Sequence, residues 1–258
     1  MTSRIPKTAP AQPDLSSKTA LVTGASRGIG RAAALTLAKA GAHVIALART
    51  VGGLEELDDE IKALGGTASL VPADLGDDKA IDQLGPALSS RFASLDILVA
   101  NAAALGELAP LPDIAPSVWT KTIDTNITAN WRMLRTLDPL LRASGDGRVV
   151  YLTSRVGGAE ARAFWGLYAA TKAAGEMIAK TYALEAKIAG VKVAIVDPGA
   201  MRTKMRAQAM PGENPESLPH PDEIAPLLHY ALGDDFSADE IDGAARLVFR
   251  DWKAAGLV

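Results

Sequence analysis

The sequence predicts an α/β fold in which a parallel sheet carries helices on both faces, within a single domain. Short apolar segments alternate with helical segments along the chain, and turn residues separate them. This alternation is typical of strand–helix–strand units, whose right-handed crossovers produce a doubly wound sheet. The predicted strands lie near residues 19–23, 43–47, 67–71, 96–100, 148–153 and 191–196. The predicted helices lie near residues 29–40, 53–64, 77–91, 116–142, 166–189 and 221–232.

A glycine-rich turn follows the first predicted strand. The segment Thr23-Gly24-Ala25-Ser26-Arg27-Gly28-Ile29-Gly30 stands between an apolar run and an alanine- and leucine-rich helix. Glycines let the backbone approach a pyrophosphate, and the helix N-terminus offers free N–H groups and a positive dipole end. An ordinary strand-to-helix turn is the alternative, but the strand–turn–helix context favours a phosphate site.

Tyr168 and Lys172 lie four residues apart in a predicted helix, so both side chains project from one face. A nearby ammonium stabilises phenolate, and we expect Lys172 to lower the pKa of Tyr168 from about 10. Such a phenol can exchange a proton with a carbonyl or alcohol oxygen. The same spacing also arises by chance in surface helices, so its meaning depends on the glycine turn.

The two motifs together resemble the short-chain dehydrogenase/reductase family. The resemblance extends from about Lys18 to the region of Asp235, and the chain is similar to a bacterial subgroup of uncharacterised oxidoreductases. It implies a Rossmann fold and a nicotinamide cofactor. It implies a catalytic set of Asn126, Ser154, Tyr168 and Lys172. The predicted cofactor contacts are Gly24, Ser26, Arg27, Gly28, Ile29, Gly30, Arg49, Thr50, Asp74, Leu75, Asn101, Ala102, Tyr168, Lys172, Pro198, Gly199 and Thr203.

Within that resemblance, the predicted reaction is hydride transfer between nicotinamide and a carbonyl or secondary alcohol. Tyr168 is expected to act as the general acid, with Ser154 holding the carbonyl oxygen. Lys172 is expected to bind the nicotinamide ribose, and Asn126 to hold a relay water. Each residue also has a structural alternative: Ser154 as a turn residue, Asn126 as a locally satisfied amide and Tyr168 as a packing residue. A regulator that binds cofactor without turnover, and an interaction module, are the alternative functions.

The end of the second strand bears on the type of cofactor. An acidic residue there would bind the ribose 2′-hydroxyl and repel a 2′-phosphate, but Ala48 occupies the position. Arg49 follows, and Arg27 lies in the glycine turn; two guanidinium groups suit a phosphate. The sequence therefore favours NADP(H) over NAD(H), with a solvated Arg49 and an NAD(H)-preferring enzyme as the alternative.

Composition excludes several classes of protein and site. The 258 residues carry a net charge of -3, which favours neither nucleic acid nor an anionic membrane as a partner. There is no cysteine, and the three histidines lack metal-ligand spacing, so we expect no metal. No apolar run approaches the roughly 20 residues of a membrane span.

The sequence also predicts the domain bounds, the cellular location and the oligomeric state. Residues 1–17 lack an apolar signal core and are rich in Pro, Ser and Thr, which predicts a disordered arm on a cytoplasmic protein. Residues 18–258 are expected to form the single domain. The helices near 116–142 and 166–189 resemble the family's dimer-forming pair and imply a homodimer or homotetramer. The family's usual C-terminal tail is absent, and 241–243 is at most a remnant of it.

The substrate is expected to be a small carbonyl compound or alcohol. The segment 201–211, rich in Met and basic residues, resembles the family's mobile lid, in which Arg202 or Arg206 could meet an anionic group or face water. Three residues before the tyrosine are candidates either for the pocket wall or for packing: Phe164, Trp165 and Leu167.

Overall fold

The computed structural model describes residues 3–158, 160–237 and 243–258, and its central feature is one parallel sheet of seven strands in the order β3-β2-β1-β4-β5-β6-β7. The strands are β1 (Thr19–Thr23), β2 (His43–Ala48), β3 (Thr67–Pro72), β4 (Ile97–Ala100), β5 (Arg148–Leu152), β6 (Lys192–Asp197) and β7 (Ala244–Val248). The strand order reverses between β1 and β4, as a doubly wound sheet requires. The predicted fold class is confirmed.

Helices connect the strands and cover both faces of the sheet. They are α1 (Gly28–Lys39), α2 (Val51–Ala63), α3 (Asp78–Ser89), α4 (Pro116–Ile123), α5 (Ala129–Ala143), α6 (Arg155–Gly158), α7 (Gly166–Ala186), α8 (Lys204–Ala209), α9 (Ala225–Leu232) and α10 (Phe249–Ala254). The segment α6 is a short turn whose backbone leaves helical geometry at Val156 and Gly157. The helix predicted near 116–142 contains a π-helical turn, Asp124–Thr128, between α4 and α5.

Two apolar cores form because successive residues of each strand point to opposite faces of the sheet. Val22 and Val99 pack on one face with α1, α2, α9 and α10. Leu21 and Leu98 pack on the other face with α3, α5 and α7. Strands buried on both faces are continuously apolar, which is why the sequence shows them as short unbroken runs.

The last strand, β7, has no counterpart among the predicted strands. It pairs in parallel with β6, and four of its five residues are buried. Its sequence, Ala-Ala-Arg-Leu-Val, interrupts a short apolar run with a charged residue, so a local pattern does not identify it. The possible tail remnant at 241–243 lies largely outside the described residues, since only Gly243 is described.

The N-terminal arm, expected to be disordered, makes specific contacts over its described residues. The Arg4 backbone N–H donates to the Arg246 carbonyl at 2.8 Å, and the Arg4 carbonyl accepts from Trp252 Nε1 at 2.8 Å. Ser3 Oγ accepts from the backbone N–H of Val248 at 2.9 Å. Leu15 is buried, and its N–H donates to the carbonyl of Ala40. The arm therefore runs beside β7 and α10.

Candidate active site

A cavity of about 1320 Å³ opens at the carboxyl edge of the sheet. It is larger than the usual 300–1,000 Å³ of a small-molecule pocket, so a dinucleotide and a second molecule can share it. The segments that follow β1, β2, β4, β5 and β6 all contribute to its wall. Every predicted site residue lines it except Gly30 and Asn126.

The glycine turn between β1 and α1 has the geometry of a phosphate cradle. Gly24 and Gly28 have φ angles of +67° and +55°, in the left-handed region that favours glycine. A Cβ on Gly30 would overlap the Gly24 carbonyl oxygen and the Asn101 amide. Helix α1 begins at Gly28 with no acidic residue in its first turn, so its N–H groups suit an anion. The turn therefore fits the pyrophosphate of a dinucleotide.

Asn101 ties the segment after β4 to that turn. Its Nδ2 donates to the carbonyl of Thr23 at 2.9 Å, and its backbone N–H donates to Thr23 Oγ1 at 3.0 Å. The backbone N–H of Ala102 donates to the same hydroxyl at 3.0 Å. The side chain of Asn101 thus holds the wall of the cavity in place.

The outer end of the cavity is basic. Ala48 is buried at the end of β2, so no carboxylate stands there. The Arg49 guanidinium lies 3.7 Å from the Asp74 carboxylate, with the two side chains 62% and 55% exposed. An ion pair this exposed and this long is weak, which leaves the guanidinium able to bind an incoming phosphate. Arg27, which is exposed, also lines the cavity.

Tyr168 lies at the inner end of the cavity and is almost fully buried. Burial raises the pKa of Tyr168 to about 12; a hydrogen bond with Ser154 acts in the opposite direction, and the charge of Asp197 adds to the rise. The expectation that Lys172 lowers the pKa of this phenol is therefore wrong for the protein without ligands. Desolvation of the buried phenolate dominates, and the Lys172 ammonium donates its hydrogen bond to the carbonyl of Leu152.

Lys172 is buried one helical turn after Tyr168. Its Nζ donates to the carbonyl of Leu152 at 2.8 Å. The ammonium lies 5.7 Å from the centre of the Tyr168 ring and 5.6 Å from that of Tyr151. Burial lowers the pKa of Lys172 to about 8, although the charges of Glu176 and Asp197 counter this effect. The amine still lines the cavity, within reach of a bound molecule.

Asn126 lies behind the cavity wall, in the π-helical turn. Its side-chain oxygen accepts from the backbone N–H of Ala104 at 2.7 Å, and its Nδ2 donates to the Ala104 carbonyl at 2.8 Å. Nδ2 also donates to Thr171 Oγ1 at 3.0 Å. Asn126 thus links the loop after β4 to helix α7, which carries Tyr168. Its backbone carbonyl accepts from Asn130 Nδ2 at 2.8 Å.

Comparison with known proteins agrees with this geometry. The family model described as short chain dehydrogenase matches residues 18–214. The chain belongs to the short-chain dehydrogenase family. Uncharacterised oxidoreductase YciK of Escherichia coli (strain K12) is 37% identical over 229 residues, covering 88% of this chain and 90% of YciK. The predicted family and its bacterial oxidoreductase subgroup are confirmed, and this short-chain dehydrogenase is an oxidoreductase.

Two solved structures similar to this short-chain dehydrogenase contain a cofactor. A short chain dehydrogenase from Shigella flexneri 2a strain 301, complexed with NADP, has a TM-score of 0.86 and 34% identity, covering 93% of this chain and 100% of that one. One from Escherichia coli CFT073, complexed with NADPH, has a TM-score of 0.84, 34% identity and the same coverage of both chains. The family binds nicotinamide dinucleotides, and the cavity fits one.

The segment 201–211, which resembles the family's lid, contains helix α8. Thr203 caps α8 by accepting from the backbone N–H of Arg206 at 3.2 Å. The two arginines considered for an anionic substrate group already have partners: Arg206 binds Glu213 at 2.5 and 2.6 Å, and Arg202 binds Glu216 at 2.9 Å.

The residues before Tyr168 divide between pocket, surface and core. Trp165 lines the cavity, and its ring meets that of Tyr168 edge-on at 6.0 Å. Phe164 is exposed and has a φ of +69°, an unusual value for a bulky residue. Leu167 is fully buried in the core. Only Trp165 therefore belongs to the pocket wall.

Sequence reasoning missed the contribution of the C-terminal segment. Val248, Phe249 and Arg250 line the cavity at the end of β7, and Lys253 lies on the next turn. It also missed two buried residues near Lys172, Glu176 and Arg246. The four-residue spacing of Tyr168, Lys172 and Glu176 was the one local signal that could have found Glu176.

The described residues include neither a metal-binding cluster nor a membrane-spanning helix. Within the described ranges, no group of three or more His, Asp or Glu side chains is placed to bind a metal ion. Among the helices of those same ranges, none is both long and apolar enough to cross a membrane.

Proposed function

We propose that this chain is an NADP(H)-dependent oxidoreductase that interconverts a carbonyl compound and its alcohol, with Tyr168 as general acid and base. The observation that carries the proposal is that Ser154, Tyr168 and Lys172 share one cavity with the glycine turn. A buried proton donor thus stands beside a site that fits a dinucleotide. Either feature alone occurs in many proteins; their placement in one cavity supports proton transfer coupled to hydride transfer.

A bound nicotinamide would supply or accept the hydride, and residues of the cavity would donate or accept the proton. Ser154 donates a hydrogen bond to the carbonyl oxygen and holds it near the phenol. Burial raises the pKa of Tyr168 to about 12, so the phenol carries its proton at neutral pH, and transfer to the carbonyl oxygen would be faster once the charge of Lys172 or the hydrogen bond with Ser154 brings that pKa closer to neutral. This state suits carbonyl reduction. Lys172, whose amine lines the cavity, would bind the ribose hydroxyls of the dinucleotide.

Tyr168→Phe is the direct test of this role. It removes only the phenolic oxygen, so we expect kcat for carbonyl reduction to fall at least about a hundredfold, with the affinity for NADPH unchanged. NADPH consumption would be followed with a panel of aldehydes, ketones and quinones. Tyr230→Phe is the matched control, because Tyr230 is equally buried but lies outside the cavity wall. Turnover that survives in Tyr168→Phe contradicts the assignment.

The same panel separates an enzyme from a regulator. If the wild-type chain binds NADPH tightly and turns over none of the carbonyl compounds, the regulator becomes the better hypothesis. If it binds no dinucleotide, both hypotheses are wrong.

The preference for NADP(H) is supported by the outer end of the cavity. Arg49 and Arg27 offer two guanidinium groups, and Ala48 puts no carboxylate at the end of β2, where one would bind the ribose 2′-hydroxyl. The NADP-containing relatives favour the same cofactor. Small-molecule carbonyl or alcohol substrates follow from the proposed reaction.

Arg49→Ala tests the cofactor preference. Loss of a charge-assisted contact is expected to weaken NADPH binding about tenfold or more and to leave NADH binding unchanged. Fluorescence titration with both cofactors measures the two affinities. Arg135→Ala is the control, since Arg135 is exposed on α5 away from the cavity. Tighter binding of NADH than NADPH by the wild-type chain refutes the preference.

A further inference from the structure

A buried network of charges lies directly behind the catalytic residues. Arg246 of β7 donates from Nη1 to Glu176 of α7 at 2.6 Å and from Nη2 to Asp197 of β6 at 3.4 Å. The side chains of Arg246, Glu176 and Asp197 are only 5%, 7% and 3% exposed. Lys172, also buried, lies one helical turn before Glu176. Two cations and two anions thus lie buried together, with Lys172 and Asp197 at the cavity wall.

Two members of the network, Glu176 and Asp197, are bonded to segments that line the site, and Arg246 binds both of them. Glu176 accepts from Thr153 Oγ1 at 2.6 Å, and Thr153 immediately precedes Ser154. Asp197 accepts from the backbone N–H of Gly199 at 3.1 Å, in a turn that lines the cavity. The network therefore joins three separate parts of the site.

The turn α6 packs its backbone against the same ion pair. A Cβ on Gly158 would overlap Glu176 Oε1 and would lie 2.8 Å from Arg246 Nη2. A side chain at this position would therefore have to displace the pair. The glycine lets the segment between Ser154 and Tyr168 approach the charges closely.

Stability alone is a poor explanation for such an arrangement. Buried ion pairs recover their desolvation cost only with good geometry, and apolar residues of similar size are often equally stable. Their best-attested use is to fix one structure among alternatives. Here the partners come from β6, β7 and α7, which carry or adjoin the active-site segments.

We propose that Glu176 and Arg246, together with Asp197, are positioning residues of the reaction: they hold Ser154, the Tyr168–Lys172 face of α7 and the turn at Gly199 in register, and they balance the charge of Lys172. The proposal rests on the proposed function. None of the three is assigned contact with substrate. Their effect passes through Thr153, the backbone of Gly199 and the field at the ammonium.

The charge balance predicts the direction in which each substitution shifts the pKa of Lys172. The titratable and charged groups that face or act on it are Tyr151, Tyr168, Glu176, Asp197 and Arg246. Glu176→Gln removes a negative charge, so the pKa of Lys172 falls below its present value of about 8. Arg246→Met removes a positive charge, so that pKa rises. The double variant restores the balance and returns the pKa toward the wild-type value.

The first experiment measures that pKa directly in the protein without cofactor. The 13Cε and 15Nζ shifts of Lys172, assigned with Lys172→Met, would be titrated in each variant. We expect shifts of about one pH unit in opposite directions for the two single variants. Glu185→Gln is the control, because Glu185 is exposed on the same helix. Shifts that are absent, or that have the same sign, overturn the proposal.

The second experiment measures NADPH-dependent carbonyl reduction. We expect kcat to fall about tenfold or more in each single variant. The alkaline limb of each pH profile should shift in the same direction as the pKa of Lys172 in that variant. The double variant should recover part of the lost kcat. Should Arg246→Met fail to fold, Arg246→Lys takes its place and is expected to keep the pKa while losing kcat. Unchanged kcat in all variants overturns the positioning role. If the wild-type chain shows no turnover, that result refutes the proposed function. The titration of Lys172 still tests whether the network balances the charge of this residue.

Discussion

At the scale of single residues, the glycine turn depends on the missing Cβ of Gly30. Gly30 has no Cβ, and the space that one would occupy belongs to the Gly24 carbonyl and the Asn101 amide. Those two groups form the wall of the proposed pyrophosphate cradle. The backbone of Gly24 and the side chain of Asn101 cannot move away from an added Cβ without opening the turn, because Asn101 is itself bonded to Thr23.

Gly30→Ala is therefore expected to weaken NADPH binding more than about tenfold, because its Cβ displaces backbone rather than a flexible side chain. Isothermal titration calorimetry measures the loss. Gly52→Ala is the matched control: nothing lies within 4 Å of its added Cβ in helix α2. That control should keep cofactor affinity and raise the free energy of unfolding by about 0.5–1 kcal/mol. Equal affinities in the two variants contradict this account of the turn.

At the scale of elements, one amide joins the loop after β4 to helix α7. Asn126 makes three side-chain hydrogen bonds, two to the backbone of Ala104 and one to Thr171. It can do so because the π-helical turn interrupts the long helix at its position. Such turns are often associated with functional sites. The periodicity of the sequence predicts the helix but not the change in its winding.

Asn126→Ala leaves the Ala104 N–H and carbonyl without partners, so we expect the free energy of unfolding to fall by about 1–3 kcal/mol. Urea denaturation measures this change. Asn130→Ala makes the same substitution one turn later and removes one bond, that to the Asn126 carbonyl. Its cost should be smaller. If the two substitutions cost the same, the link between the loop and α7 does not stabilise the fold as described.

At the scale of the whole molecule, the two ends of the chain meet. The backbone of Arg4 bonds to β7 and to the indole of Trp252, which is fully buried in α10. The same C-terminal segment supplies cavity residues and Arg246. The N-terminal contact is thus made to the backbone of Arg246, which is itself a member of the charge network.

Deletion of residues 2–8 tests whether the arm belongs to the folded domain. It leaves the Trp252 N–H without its acceptor, and we expect the free energy of unfolding to fall by about 1–3 kcal/mol. Chemical denaturation compares it with Lys7→Ala, which changes an exposed arm residue and should have little effect. An unchanged free energy after the deletion would support the disordered arm that composition predicts.

Much of the architecture follows from local pattern. Six of the strands and the glycine turn were predictable, because a buried parallel strand is an apolar run and a tight turn needs glycine. The catalytic set stays a prediction: the sequence puts Tyr168 and Lys172 on one helix face, and the structure brings both into one cavity with Ser154, while Asn126 lies behind the cavity wall. β7 was not predictable, because an arginine stands in the middle of its short apolar run.

The sequence by itself therefore determined the doubly wound sheet, the position of the glycine turn and the family to which the chain belongs. Only the tertiary structure decided the electrostatics of the site. Arg246 and Glu176 are 70 residues apart, and nothing in local spacing indicates that they meet. Burial reverses the expected shift of the Tyr168 pKa, because desolvation depends on everything that packs around a group and not on its neighbours in sequence.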